Sequence, residues 1–251
     1  MEIPGVEVRH VARCTSTNSV LLAEAQESAR QGAERPVLLV AAEQTAGRGR
    51  RGRRWHGAPG EGLTFSLALR VRRPVRELAA LSLVAGVAAA SALRACGIAR
   101  AALKWPNDLM VDGAKLGGIL VETRSDRRAT LAVIGIGINL RGADALAARL
   151  RRRVTAVERY VAPDADALLA AVAAALLEAL AAFEARGFEA LRGAWEALDA
   201  HAGQRVRLRL ADGRSLSGVA AGLAEDGALR IRTRAGLRAV HSARLVSARA
   251  A

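Results

Sequence analysis

The chain has 251 residues, 51% of them hydrophobic, and a formal net charge of +14. That length and apolar content suit one large domain, or a main domain followed by a small one. The longest uncharged run, Leu78 to Leu93, is too short for a membrane span, which needs roughly 18 or more apolar residues; it is expected as a buried helix.

The start, Met1-Glu-Ile-Pro-Gly5, lacks the basic and apolar regions of a signal peptide. The two cysteines, Cys14 and Cys96, have no metal-ligand spacing and are expected as reduced thiols of a cytoplasmic protein. The positive charge invites a nucleic-acid partner. Yet only two of the 38 basic residues are lysine, Lys104 and Lys115, and alanine is also heavily used. Such a bias towards Arg and Ala looks like coding composition, so the charge is weak ground for a nucleic-acid partner. Aromatics are only 3% of residues, too few for the stacking platforms that grip single strands. The expectation is no specific DNA partner and no membrane. The bias also sharpens the reading. Lys104 and Lys115 mark positions where a compact ammonium serves and a guanidinium does not. Asparagine is as rare, with Asn18, Asn107 and Asn139 only.

In chain order, Glu7 to Arg13 reads as a short strand. Ser16, Thr17 and Asn18 follow, residue types that cap helices, before a helix from Val20 to Arg30 closed by Gly32. Val37 to Glu43 is a continuous apolar run, a buried strand. It feeds Gln44-Thr-Ala-Gly-Arg-Gly-Arg-Arg-Gly-Arg-Arg-Trp55, with three glycines and five arginines between Gly47 and Arg54. Glycines let backbone approach a ligand, and guanidinium forks suit carboxylate and phosphate. The stretch is therefore an anion clamp or a solvated basic loop. Leu63 to Val71 alternates and reads as a half-buried strand. Glu77 to Ala95 is a helix ended by Gly97.

Leu103-Lys-Trp-Pro-Asn-Asp-Leu-Met-Val-Asp112 predicts two strands around a Pro-Asn-Asp corner. Asp112-Gly113 is a hairpin signal, with Lys115 to Glu122 as the return strand. A strand over 129–140 carries Gly135-Ile-Gly-Ile-Asn139, where small residues predict close approach of another backbone or a ligand. Arg141 to Val161 reads as irregular and basic. Asp164 to Arg186 and Phe188 to Ala200 are helices. Beyond Gly203 the pattern changes to short strands, Arg205–Leu210, Ser215–Leu223, Ala228–Thr233 and Leu237–His241, a small β-barrel. The expected domains are 1–202 and 203–251.

Five motifs stand in order: Ser16-Thr17-Asn18, Gln44 through Trp55, Lys104 through Leu109, Lys115 through Glu122, and Gly135 through Asn139. Together they closely resemble the biotin protein ligases, over nearly the whole chain. The resemblance implies a mixed-sheet α/β (α+β) catalytic domain like that of class II aminoacyl-tRNA synthetases, then an SH3-like domain. It implies that biotin and MgATP give biotinyl-5′-AMP and pyrophosphate, and that a lysine of a biotin carboxyl carrier protein then takes the biotinyl group. Carried onto this sequence, Lys115, Arg50 and Asp108 are the catalytic residues. Biotin falls to Ser16, Thr17, Asn18, Gln44, Arg48, Gly49, Arg50, Lys115, Gly117 and Gly118. ATP and the adenylate fall to Arg48, Arg50, Trp55, Lys104, Asn107, Lys115 and Asn139. No protein ligand is assigned to a metal, Mg2+ arriving with ATP. Many members carry an N-terminal DNA-binding domain, whereas this sequence begins at the catalytic domain, which implies a monofunctional ligase, monomeric or homodimeric. The competing readings are a lipoate- or octanoate-transferring enzyme of the same superfamily and a basic nucleic-acid-binding protein.

Overall fold

The computed structural model describes residues 2–31, 35–125 and 130–250. Gly32 and Ala129, named above as the end of a helix and the start of a strand, lie outside them. One sheet of seven strands runs in the order β1-β2-β3-β7-β6-β5-β4. Its strands are β1 (Glu7–Cys14), β2 (Val37–Gln44), β3 (Gly62–Val71), β4 (Ala101–Lys104), β5 (Asp108–Val111), β6 (Ala114–Ser125) and β7 (Thr130–Asn139). β1 and β2 are parallel and every other pair antiparallel, so the sheet is mixed.

The two faces of that sheet differ, and the difference makes the site. Side chains alternate along strands. On one face Phe65, Leu67, Ile134, Ile136, Ile138 and Ile119 form a continuous core with α2 (Leu81–Ala95) and α4 (Ala165–Arg186). Each such side chain taken out of water contributes roughly 1.5–3 kcal/mol. By length and composition α4, and α2 with the 3-10 turn before it, could cross a bilayer, but they pack on each other and on the sheet. On the opposite face α1 (Thr17–Gln31) packs on β2, β3 and β7. Beyond it the strands present Ser66, Gly135, Gly137 and Gly118, in register across β3, β7 and β6. Small residues there leave a hollow. β3 is accordingly buried on both faces, not half-buried as its alternation predicts, because Thr64 and Ser66 are also covered.

Asp112 and Gly113 both have positive φ (52° and 71°), as the tight hairpin between β5 and β6 requires. The segment read as irregular contains a helix, α3 (Ala143–Leu150), bounded by Gly142 and Arg151 in the left-handed region. After α5 (Glu189–Ala197) come β8 (Arg205–Leu210), β9 (Ser215–Leu223), β10 (Leu229–Thr233), β11 (Gly236–Val240) and β12 (Ala243–Arg249), which form a five-stranded antiparallel sheet in the order β11-β10-β9-β8-β12. Its fifth strand, β12, is absent from the sequence reading and pairs with β8. This sheet is tied to the first domain. Trp105 Nε1 donates to the Gly227 carbonyl at 3.2 Å, and Glu196 Oε1 accepts from the Leu223 amide at 2.8 Å.

Candidate active site

A cavity of about 320 Å3 opens over the small-residue face. Its floor needs glycine. A Cβ at Gly135 would lie 2.2 Å from Asn18 Oδ1, and one at Gly137 would lie 2.5 Å from the Trp55 ring.

The Gly/Arg stretch is a small hairpin finger across this cavity, not an irregular loop. Arg48 pairs with Arg54, the Gly49 amide donates to Arg53 O at 2.7 Å, and the Trp55 amide to Gly47 O at 2.9 Å. Arg51 and Gly52 at the tip both have positive φ. The finger is held at three points. Near its base, Arg48 forms a bidentate pair with Glu122, at 2.8 and 3.1 Å. In the middle, Arg50 Nη1 reaches Asn107 Oδ1 at 3.4 Å. At the tip, Arg51 Nη2 donates to Ser242 Oγ of the second sheet at 2.9 Å. Burial holds the Arg50 guanidinium below its usual pKa, with Arg51 adding to that and Asp108 opposing it.

One end of the cavity is polar and uncharged. The Thr17 amide donates to Gln44 Oε1 at 2.8 Å, the Thr17 and Ser66 hydroxyls pair at 2.6 Å, and Ser66 Oγ donates to Asn18 Oδ1 at 2.6 Å. Ser16, Thr17 and Asn18 are all buried. The Thr17 hydroxyl is thus spent on the cavity wall and not on capping α1.

The other end is charged. Lys115 contacts Asp108 in a half-buried ion pair, and its ammonium lies over Gly118, where a Cβ would come within 3.1 Å of Nζ. Both backbone groups of Lys115 are clamped: its amide donates to Arg153 O at 3.1 Å, and its carbonyl accepts from the Thr155 amide at 2.9 Å. Lys104, Arg152 and Arg244 also face this end. Burial lowers the Lys104 pKa, against the pull of Asp108 and with Lys115, Arg244 and Arg152 adding. Arg244 and its neighbours Ala243, Leu245 and Val246 come from β12, so the second sheet closes the cavity.

Most of the residues singled out in the sequence line this one cavity: Ser16, Thr17, Asn18, Gln44, Arg48, Gly49, Arg50, Trp55, Lys104, Asn107, Asp108, Lys115 and Gly118. Two do not. Gly117 packs against the Gly137 carbonyl, where a Cβ would meet it at 2.5 Å. Asn139 donates to the carbonyls of Thr155 (3.0 Å) and Lys115 (3.4 Å), bracing the lysine's backbone from below. Three residues with a part in the site escaped the sequence reading, Ser66, Arg152 and Arg244, and Glu122 ended a quoted motif without a role. Ser66 had a signal, as a lone serine between Phe65 and Leu67. The arginines had none, hidden among many others.

The biotin/lipoate A/B protein ligase family model matches residues 11–139, and the model of the biotin protein ligase C terminal domain matches 201–244. The biotin--[acetyl-CoA-carboxylase] ligase of Paracoccus denitrificans is 36% identical over 240 residues, covering 93% of this chain and 97% of that one. The bifunctional ligase/repressor BirA of Bacillus spizizenii is 32% identical over 228 residues, covering 87% of this chain and 68% of that one. The structure of the Aquifex aeolicus biotin protein ligase in complex with biotin and ATP superposes with a TM-score of 0.78 at 27% identity, covering 98% of this chain and 99% of that one. The chain belongs to the biotin/lipoate A/B protein ligase family, among its biotin ligases.

Proposed function

We propose that this chain activates biotin with MgATP and transfers the biotinyl group to a lysine of a biotin carboxyl carrier protein. The observation that carries the reading is the convergence in one cavity of an uncharged array of donors and acceptors with a lysine-centred anion site. The ureido ring of biotin needs donors and acceptors together, and Thr17 and Gln44 offer them. Its carboxylate then extends towards Lys115.

In the first step a carboxylate oxygen attacks the α-phosphorus of ATP. The bond to the bridging oxygen breaks, and pyrophosphate leaves. Two anions must meet, so fixed positive charge is the main requirement. Lys115, with its backbone clamped on both sides, supplies it. Arg48 and Arg50 on the finger add guanidinium donors from above, and Lys104, Arg152 and Arg244 are placed for the outer phosphates. Mg2+ enters as part of the nucleotide substrate. In the second step the acceptor amine attacks the anhydride carbonyl, AMP leaves, and Asp108 takes the proton once the adenylate has drawn Lys115 away from it.

The same reading gives the chain no repressor activity. The Paracoccus relative, matched over 97% of its length, carries the ligase name alone. The two free cysteines fit a reducing cytoplasm. The test is incubation with biotin, MgATP and a purified biotin carboxyl carrier domain. Mass spectrometry should show one added biotinyl group on the carrier, and none with lipoate in place of biotin. A carrier that stays unmodified, or that takes lipoate equally well, overturns the reading.

A further inference from the structure

Glu122 lies on β6, one turn of the pleat beyond the cavity floor, and is gripped from two directions. Arg48 of the finger donates from Nη2 to Oε1 at 2.8 Å and from Nη1 to Oε2 at 3.1 Å. From the cavity wall, Asn18 Nδ2 donates to the same Oε2 at 3.0 Å. Proton counting sets the direction of the bonds behind Asn18. Ser66 gives its only hydroxyl proton to Asn18 Oδ1, so in the short 2.6 Å contact the Thr17 hydroxyl donates to Ser66 Oγ, with Gln44 Oε1 a more distant acceptor at 3.3 Å. The relay therefore runs from Thr17 through Ser66 and Asn18 and ends on Glu122. Asn18 Nδ2 also reaches Leu120 O at 3.3 Å, which leaves both its amide protons spent. A carboxylate is the one side chain that can terminate such a chain and still hold a guanidinium fork, because it only accepts.

We propose that Glu122 is a positioning residue that couples the polar end of the cavity to closure of the Gly/Arg finger. One carboxylate joins the wall that faces the uncharged half of the substrate to the base of the element that covers the reactive half. When the wall is correctly ordered by its ligand, Asn18 holds Oε2 in place, and Arg48 finds its partner preset. Loss of the carboxylate frees both sides: the finger opens at its base, and Asn18 loses the acceptor that orients it. The inference rests on the biotin-ligase reading for the identity of the ligand, but the latch itself does not.

The test uses Glu122→Gln, which keeps size but loses the charge and one acceptor. The first readout needs no ligand. The finger holds five arginines, so limited trypsin digestion followed by mass spectrometry of the new ends reports its opening directly. Cleavage between residues 48 and 54 should accelerate about five- to tenfold, the low range for a charge-assisted pair that is partly exposed. A surface control, Glu189→Gln, which breaks an exposed pair with Arg192 on α5, should cleave as wild type does. The second readout is release of biotin and of the adenylate from the loaded enzyme. Both should leave faster from Glu122→Gln, raising KM for biotin more than kcat falls. The exchange Arg48→Glu with Glu122→Arg restores the ion pair but not the acceptor for Asn18. It should recover resistance to trypsin at the four remaining finger arginines, Arg50, Arg51, Arg53 and Arg54, relative to Glu122→Gln. Cleavage within twofold of wild type in Glu122→Gln overturns the latch, as does an exchange variant that stays open. If cleavage accelerates as expected but wild-type protein forms no biotinyl adenylate, the latch stands and the biotin reading falls.

Discussion

Lys115 is fixed at every level except its charged tip. Its amide and carbonyl are bound by the 153–155 segment, Asn139 braces its carbonyl from below, and Gly118 leaves room beneath the ammonium. Such a group is preorganised, and preorganised charge is where a two-anion reaction gains most. Lys115→Ala should therefore slow adenylate formation about 100- to 1000-fold with the fold intact. Pyrophosphate release measures it, and a near wild-type rate would refute the role. The lysine itself was legible in the sequence because the chain hardly uses lysine. Asn139 was flagged by the same rarity, but sequence could not say that its amide turns into the backbone behind the site. Gly137 gives a second check at this scale. The motif announced a close approach, and the structure identifies it as the Trp55 ring. Gly137→Ala must displace that ring. Overpacking of this kind costs about 1–3 kcal/mol, and here it falls on the cavity and not on the core. Biotin affinity measured by calorimetry should drop about tenfold or more, while thermal stability changes little. Unchanged affinity would mean that the ring does not shape the site.

At the scale of elements the sequence succeeded wherever a hydrophobic period was long enough to read. β2, β6, β7, α2 and α4 emerged from their apolar patterns within a residue or two at most ends described. Failures came from elements whose pairing leaves no such period. The finger is a hairpin held by backbone bonds between arginines and by positive φ at Arg51 and Gly52, so it reads as a charged loop. β12 pairs with β8 rather than with its sequence neighbour β11, and a register shift between Leu245 and Ser247 breaks its alternation after Ala243 and Leu245. α3 has two turns, ends in a left-handed arginine, and runs into an arginine cluster. The finger's geometry ranks its arginines. Arg50 is partly buried, points at Asn107 and faces Asp108. Arg53 sits beyond the tip, and its carbonyl accepts from the Gly49 amide as scaffold. Arg50→Gly should keep some adenylation but let the reactive anhydride escape and label bystander lysines. Arg53→Gly should do so much less. Incubation with biotin, MgATP and serum albumin, followed by streptavidin blotting, separates them. Equal labelling by both variants, or none by either, would remove Arg50 from the clamp.

The whole molecule depends on the junction at residues 198–203, where the chain leaves the first domain and enters the second sheet. The Leu198 carbonyl accepts from the Leu103 amide at 2.7 Å and the Ala200 amide donates to Leu103 O at 2.8 Å, so the junction is bridged to β4 at Asp199. Two titratable groups sit in it. Burial pushes the Asp199 carboxyl up to about 6 from an ordinary 3.8, with Glu196 adding and the His201 amide opposing. Burial pulls the His201 imidazole down to about 4 from an ordinary 6.5, helped by Lys104. Its Nδ1 is buried without a partner among the described residues. The two linkages have opposite sign. Asp199 binds its proton more tightly when folded, so its contribution to stability is fully present below pH 3.8 and is lost as the pH rises through about 6. His201 binds its proton less tightly when folded, so its contribution is fully present above pH 6.5 and is lost as the pH falls through about 4. Across that window the junction of the wild-type protein is buffered, one group losing what the other gains. Single variants should unmask each slope. His201→Phe keeps the buried ring without a charge, and its Tm should rise relative to wild type as the pH falls from 6.5 to 4. Asp199→Asn should gain relative to wild type as the pH rises from 3.8 to 6. Thermal denaturation of the three proteins across this range decides the matter. Two Tm differences that move in the same direction with pH, or that do not move, would show that the junction is open to water and takes no part in the pH response of the fold.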